Sequence, residues 1–287
     1  MDDSYIISFI NGSSGRFVKF ILYSLLTDYK EEMRMNTENS AHLENFYTGA
    51  RIGHGVDSTL DKKRNFDIGK SPSETIYSFF EFDLDIPAGV PKIFQTHTYP
   101  EFDLIERRLP DTKVILINVE EDAWLEVVGN SVYKNAIALL NDRDNGIQLT
   151  EHQTNYLVWL KNVYLKVVGV DIDLPFTYDI KETEKIVYYI HDLWKKYKNE
   201  NIKISGFINP IADFEKYPNL TLINYKELYE KTGNGSYVGL EKLERISRNV
   251  ANEQTFKNYE KYVNGREKFV QKNMPWLSGN STVNPNI

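Results

Sequence analysis

The chain has 287 residues, enough for one large α/β domain or two small ones, and its 41% apolar residues can bury a core without covalent staples. It has no cysteine, which excludes disulfides, thiolate zinc sites and cysteine nucleophiles and fits a reducing, cytoplasmic setting. Acidic residues outnumber basic ones 41 to 34, for a formal charge of −7, so a general grip on nucleic acid is not expected. No apolar run approaches bilayer length, and the start, MDDSYIISFING, lacks the basic region of a signal peptide, so a membrane is not expected either.

In chain order, Tyr5–Ile10 is a short apolar run that predicts a buried strand. The turn-forming Asn11-Gly12-Ser13-Ser14-Gly15 follows, and Phe17, Phe20, Ile21, Leu25 and Leu26 then recur at helical spacing. This is a strand, a tight loop and a helix. Residues 34–73 are polar and glycine-dotted and read as a long surface excursion. A short helix is expected at Glu74–Phe82, a strand at Lys92–Thr96 and a helix at Glu101–Arg108. Lys113–Val119 is apolar without alternation, the pattern of a central parallel strand covered on both faces. A helix should run from Glu121 to Leu140, with amphipathic helices at Thr150–Val168 and Glu182–Tyr197. Strands are predicted at Ile202–Ile208 and Leu220–Asn224, then helices at Lys226–Glu230, Leu240–Val250 and Asn252–Lys272, the last weakened at Gly265. The expectation is one α/β domain over residues 1–276, a central parallel sheet flanked by helices, with a helical insertion at about 143–201 and a flexible tail at 277–287.

In such sheets the ligand lies beyond the carboxyl ends of the strands, so the loops after Ile10, Thr96 and Val119 are the places to look. In the first, Gly12 and Gly15 let backbone N–H groups turn inward, the next helix aims its positive end at the same point, and Ser13, Ser14 and Arg16 add donors. The Gly-Lys-Ser/Thr ending of a Walker A loop is absent. Taken alone, the segment reads equally as a phosphate-binding loop or a plain turn. In the second, His97 sits where a general base could take a proton from an acceptor hydroxyl, or where a structural histidine could bond nearby backbone. In the third, Glu120, Glu121 and Asp122 could hold magnesium, but fit better as the acidic opening of a helix.

The order of these parts (a Gly/Ser loop after the first strand, then QTHTYP, LPDTKVILINVEEDAW and LTLINYKELYEKTG) resembles the sulfotransferase superfamily from about Ile6 to Glu230. The resemblance implies a P-loop-like sulfotransferase architecture and a nucleotide donor, 3′-phosphoadenosine 5′-phosphosulfate. It implies an acceptor hydroxyl on a glycan or small metabolite, and no metal. By the same resemblance, His97 is the catalytic base, and Gly12, Ser13, Ser14, Gly15, Arg16 and Phe17 hold the donor's 5′ end, with Arg16 also stabilising the leaving phosphate. The sequence departs from the family pattern in three places. Ser13 stands where a loop lysine or arginine is usual, Asn118 where an arginine meets the 3′-phosphate, and Glu126 where a serine does. Arg266, Lys268 and Lys134 are the compensating cations to consider. His54 near the acceptor and the aromatics Tyr156, Trp159 and Tyr164 are further acceptor-side candidates, although the aromatics recur at helical spacing as core residues do. Other readings are a nucleotide-dependent kinase with Glu120 or Asp122 on magnesium, or a binding protein that kept the fold and lost the donor site.

Overall fold

The computed structural model describes residues 4–9, 12–30, 32–33, 35–36, 42–43, 91–96, 106–107, 110–133, 145–149, scattered positions at 151–165, 180–199 and 217–278. Four strands, β1 (Ser4–Ser8), β4 (Lys92–Thr96), β5 (Thr112–Asn118) and β6 (Leu220–Asn224), form one sheet in the order β4-β1-β5-β6. Every pairing in it is parallel. The short β2 (Met35–Asn36) and β3 (His42–Leu43) make a separate antiparallel pair. The expected central strand is borne out: Val114, Ile115, Leu116 and Ile117 are each at most 3% exposed, so both faces of β5 are covered.

Among the described residues the helices α1 (Gly15–Thr27), α2 (Trp124–Val132), α3 (Ile180–Asn199) and α4 (Val238–Ser247) accompany the strands, and α5 runs Glu253–Asn273 through the suspected weak point at Gly265. The predicted helix from Glu121 opens instead as a 3-10 turn, Glu121–Ala123, before α2. Lys226–Glu230 also differs from expectation, forming a 3-10 turn over Lys226–Leu228. The reason is local: Glu227 bends back to accept from the Asn224 amide (2.8 Å) and to pair with Lys242 (2.6 Å), which closes a tight corner where a longer helix would begin. The segments at 74–82 and 202–208 lie outside the described residues, as does most of 101–108, where Glu106 and Arg107 are helical.

The chain divides into two compact units. The first comprises Met1–Arg34, Asn45–Glu120 and Ile204–Lys261 and holds the parallel sheet. In it α1 packs on α4, and Phe17 meets Tyr259 edge-on with centroids 4.8 Å apart. The second comprises Met35–Glu44, Glu121–Lys203 and Tyr262–Ile287. Its core joins α2 (Val128, Val132), α3 (Ile186, Val187, Ile190) and the end of the chain (Phe269, Met274, Trp276), with the Tyr133 hydroxyl donating to Asn273 O (2.7 Å). Among the described residues no helix is long and apolar enough to cross a membrane.

Candidate functional site

The chain leaves β1 towards β4 on one side of the sheet, and leaves β5 towards β6 on the other. Adjacent strands whose outgoing connections diverge leave a crevice at their carboxyl ends, the usual ligand position in open α/β sheets. The loop after β1 opens there. Gly12 has φ 93°, and Ser14 is left-handed (φ 69°, ψ 21°) immediately before right-handed Gly15. That reversal of hand is the kind that turns consecutive N–H groups towards one point.

Ser14 occupies the N-cap position of α1, yet its side chain caps nothing. Its hydroxyl instead lies 2.7 Å from the Tyr229 hydroxyl, so the loop is tied to the corner that follows β6. The α1 ladder begins with Val18 N–H donating to Ser14 O (3.1 Å), which places the Gly15, Arg16 and Phe17 amides in the opening turn, pointing out along the axis. No acidic side chain sits in that turn to offset the helix dipole. Ser13 is fully buried, whereas the Phe17 ring belongs to the core, so Phe17 offers the crevice only its backbone.

Two cations rise from this turn. Arg16 is half-buried, and that burial pulls its guanidinium below its ordinary value. Lys19, one turn further, is 3% exposed, and burial together with the Arg16 charge lowers it from 10.5 to about 7. Sequence periodicity missed Lys19, because a lysine beside Val18 and Phe20 reads as the polar side of an amphipathic helix. In fact α1 is buried on nearly every side, from Phe17 through Leu25. The signal was the helix's apolar content, which sets Lys19 among buried neighbours.

At the ends of β5 and β6, Asn118 and Asn224 stand in register, and Asn118 Nδ2 donates to Asn224 Oδ1 (2.9 Å). Asn118 is therefore engaged within the sheet end. Glu126 and Arg266 belong to the second unit, where Arg266 Nη2 meets Glu126 Oε1 at 2.6 Å and the arginine side chain is 2% exposed. Lys268 is exposed. Glu121 and Asp122 lie in the first turn of their 3-10 helix, as the helix-start reading expects, and Glu120 Oε1 accepts from the Lys226 amide (3.3 Å). Among the described residues no group of three or more His, Asp or Glu is arranged to hold a metal. β4 ends at Thr96, paired with Ser8 at the end of β1. His97, the next residue, lies outside the described residues, as do His54, Lys134, Tyr156, Trp159 and Tyr164.

No protein-family model, curated protein or solved structure matches the chain.

Proposed function

We propose that the chain is a sulfotransferase-like enzyme that passes a sulfuryl group from 3′-phosphoadenosine 5′-phosphosulfate to a hydroxyl of a glycan or small metabolite. The observation that carries the reading is the turn Gly12–Phe17, a helix start with no acidic side chain in its first turn, beside two buried or half-buried cations at the divergence of β1 and β5. Its chemistry suits the 5′ end of the donor: amide donors, Arg16, Lys19 and no acid in the first turn. The residues aligned with the 3′-phosphate suit it less well, since Asn118 is engaged by Asn224 and Glu126 by Arg266.

When bound, the donor supplies the sulfuryl group and leaves as the bisphosphate. The chain's residues then act by position and charge. The Gly15, Arg16 and Phe17 amides and the Arg16 guanidinium hold the anion, and Lys19 takes up a proton to meet it. His97 accepts the proton of the acceptor hydroxyl through an imidazole nitrogen.

The test is a thermal-shift titration with 3′-phosphoadenosine 5′-phosphate, with ATP and magnesium as the comparison. At a hundredfold excess over Kd the ligand adds about 2.7 kcal/mol, and Arg16→Ala removes that gain. Stabilisation by ATP–magnesium alone would replace this reading with a kinase, and no response to either would leave a protein without this donor site.

A further inference from the structure

At the opposite end of the sheet the amino ends of β5 and β6 and the C-terminal turn of α4 line an open cleft of about 320 Å³. That is within the size range of small-ligand sites. The cleft lies roughly 20 Å from the Gly12–Phe17 turn, because the seven residues of β5 separate them at about 3.3 Å each. Its charged lining residues are Lys113, Lys242, Arg245 and Arg248, all cations, in a chain whose formal charge is −7. Thr221 adds a hydroxyl on the same sheet face as Lys113, since Thr221 pairs with Ile115, two residues on from Lys113.

The two lysines are set in place by the fold. Lys113 Nζ donates to Ile246 O (3.0 Å) and lies 5.3 Å over the Tyr5 ring. Lys242 donates to Leu222 O (3.0 Å) and pairs with Glu227, which offsets its charge. The arginines are different. Both are exposed, and among the described residues neither pairs with a carboxylate. Arg248 also holds the left-handed position that ends α4 (φ 61°), where glycine is unstrained and an arginine is not. The position therefore keeps a guanidinium at the expense of backbone ease.

We infer that this cleft is a second anion site, taking a small ligand that carries a phosphate or sulfate group. Planar guanidinium forks three residues apart suit tetrahedral oxyanions, which they grip bidentately. Lys113, held to Ile246 O between the two arginines, brings a third cation to the same end of α4. The inference stands independently of the donor reading at the other end of the sheet.

Inorganic pyrophosphate is the probe, titrated calorimetrically into the full chain at 150 mM salt, which screens diffuse attraction. The wild type should bind it, and Arg245→Ala/Arg248→Gly should weaken binding at least tenfold. Because Arg248→Gly relieves the left-handed backbone, that variant should melt no lower than the wild type, which separates lost binding from lost folding. Arg16→Ala removes any pyrophosphate held at the Gly12–Phe17 turn, and the binding that remains in that variant should be lost when Arg245→Ala/Arg248→Gly is added. The inference is overturned if the wild type shows no binding, in which case the arginines serve only the α4 terminus. It is overturned equally if Arg16→Ala abolishes binding while the α4 double variant keeps it.

Discussion

The hydroxyls of Ser14 and Tyr229 lie 2.7 Å apart and join the loop after β1 to the corner after β6, across the end of the intervening β5. The Tyr229 ring is itself steadied edge-on by Tyr225, whose amide donates to Asn118 O (2.7 Å). A helix-capping serine has thus been diverted from its own helix to fix the shape of the loop.

Tyr229→Phe removes this bond and should lower stability by about 1 kcal/mol in urea unfolding. Ser14→Gly removes the same bond but relieves a left-handed non-glycine residue, so its net effect on stability should be close to zero. The double variant should be little worse than Tyr229→Phe, since one interaction is lost in each. Both single variants should weaken binding of 3′-phosphoadenosine 5′-phosphate several-fold. Unchanged affinity in Tyr229→Phe would mean that the tie does not shape the loop.

Lys19 makes the stability of the fold depend on pH. Its value in the fold is about 7, below the 10.5 of an exposed lysine. Between those values the unfolded chain holds a proton that the folded chain has released, so stability rises with pH across that window. Below pH 7 the charge is present and buried, at full cost. Lys19→Met should therefore raise stability at pH 6, on the order of 1–3 kcal/mol, and the gain should shrink towards pH 10. A bound anion favours the charged lysine, so bisphosphate affinity in the wild type should fall as pH rises above 7, and Lys19→Met should flatten that profile. Unfolding curves at pH 6, 8 and 9.5 check the first point, and calorimetry at the same pH values checks the second. A wild type and variant that keep a constant difference across the range would refute the assignment.

Gly15 is the point where loop and core meet. A methyl group added there would clash with Cγ, Cδ1 and Cδ2 of the Phe9 ring, a side chain only 3% exposed. Gly15→Ala should destabilise by about 1–3 kcal/mol through overpacking and should displace the amides of the opening turn. Phe9→Leu should recover part of that loss in the alanine background while being destabilising by itself. Additive effects in this cycle would show that the two side chains do not compete for the same space.

Much of the first unit was legible in the sequence because its strands are short apolar-centred runs between turn residues, the central one without alternation. Lys92–Thr96 and Leu220–Asn224 match their predicted bounds, and the central strand is displaced by one residue. The strand, loop and helix at the start were legible from glycine placement and the change of period. What was hidden depends on contacts between distant positions. Tyr229 reaches Ser14 over 215 residues, and Arg266 reaches Glu126 over 140. No local pattern announces either partner. Glu126 taken alone looked like a carboxylate set against a phosphate, whereas its charge is met by an arginine from α5.

That ion pair gives the last prediction. Arg266 is 2% exposed at its side chain and Glu126 31%, so removing the carboxylate leaves a guanidinium in a largely dry setting. Glu126→Gln should cost about 2–4 kcal/mol, whereas Glu126→Leu/Arg266→Leu, which removes both charges, should recover most of it. The same glutamine variant tests whether Arg266 reaches the donor's 3′-phosphate. The preference for 3′-phosphoadenosine 5′-phosphate over adenosine 5′-monophosphate should be unchanged, because the depth of Arg266 commits it to the pair. A stronger preference in Glu126→Gln would mean that the guanidinium, once released, turns to the phosphate, and that Glu126 normally restrains it.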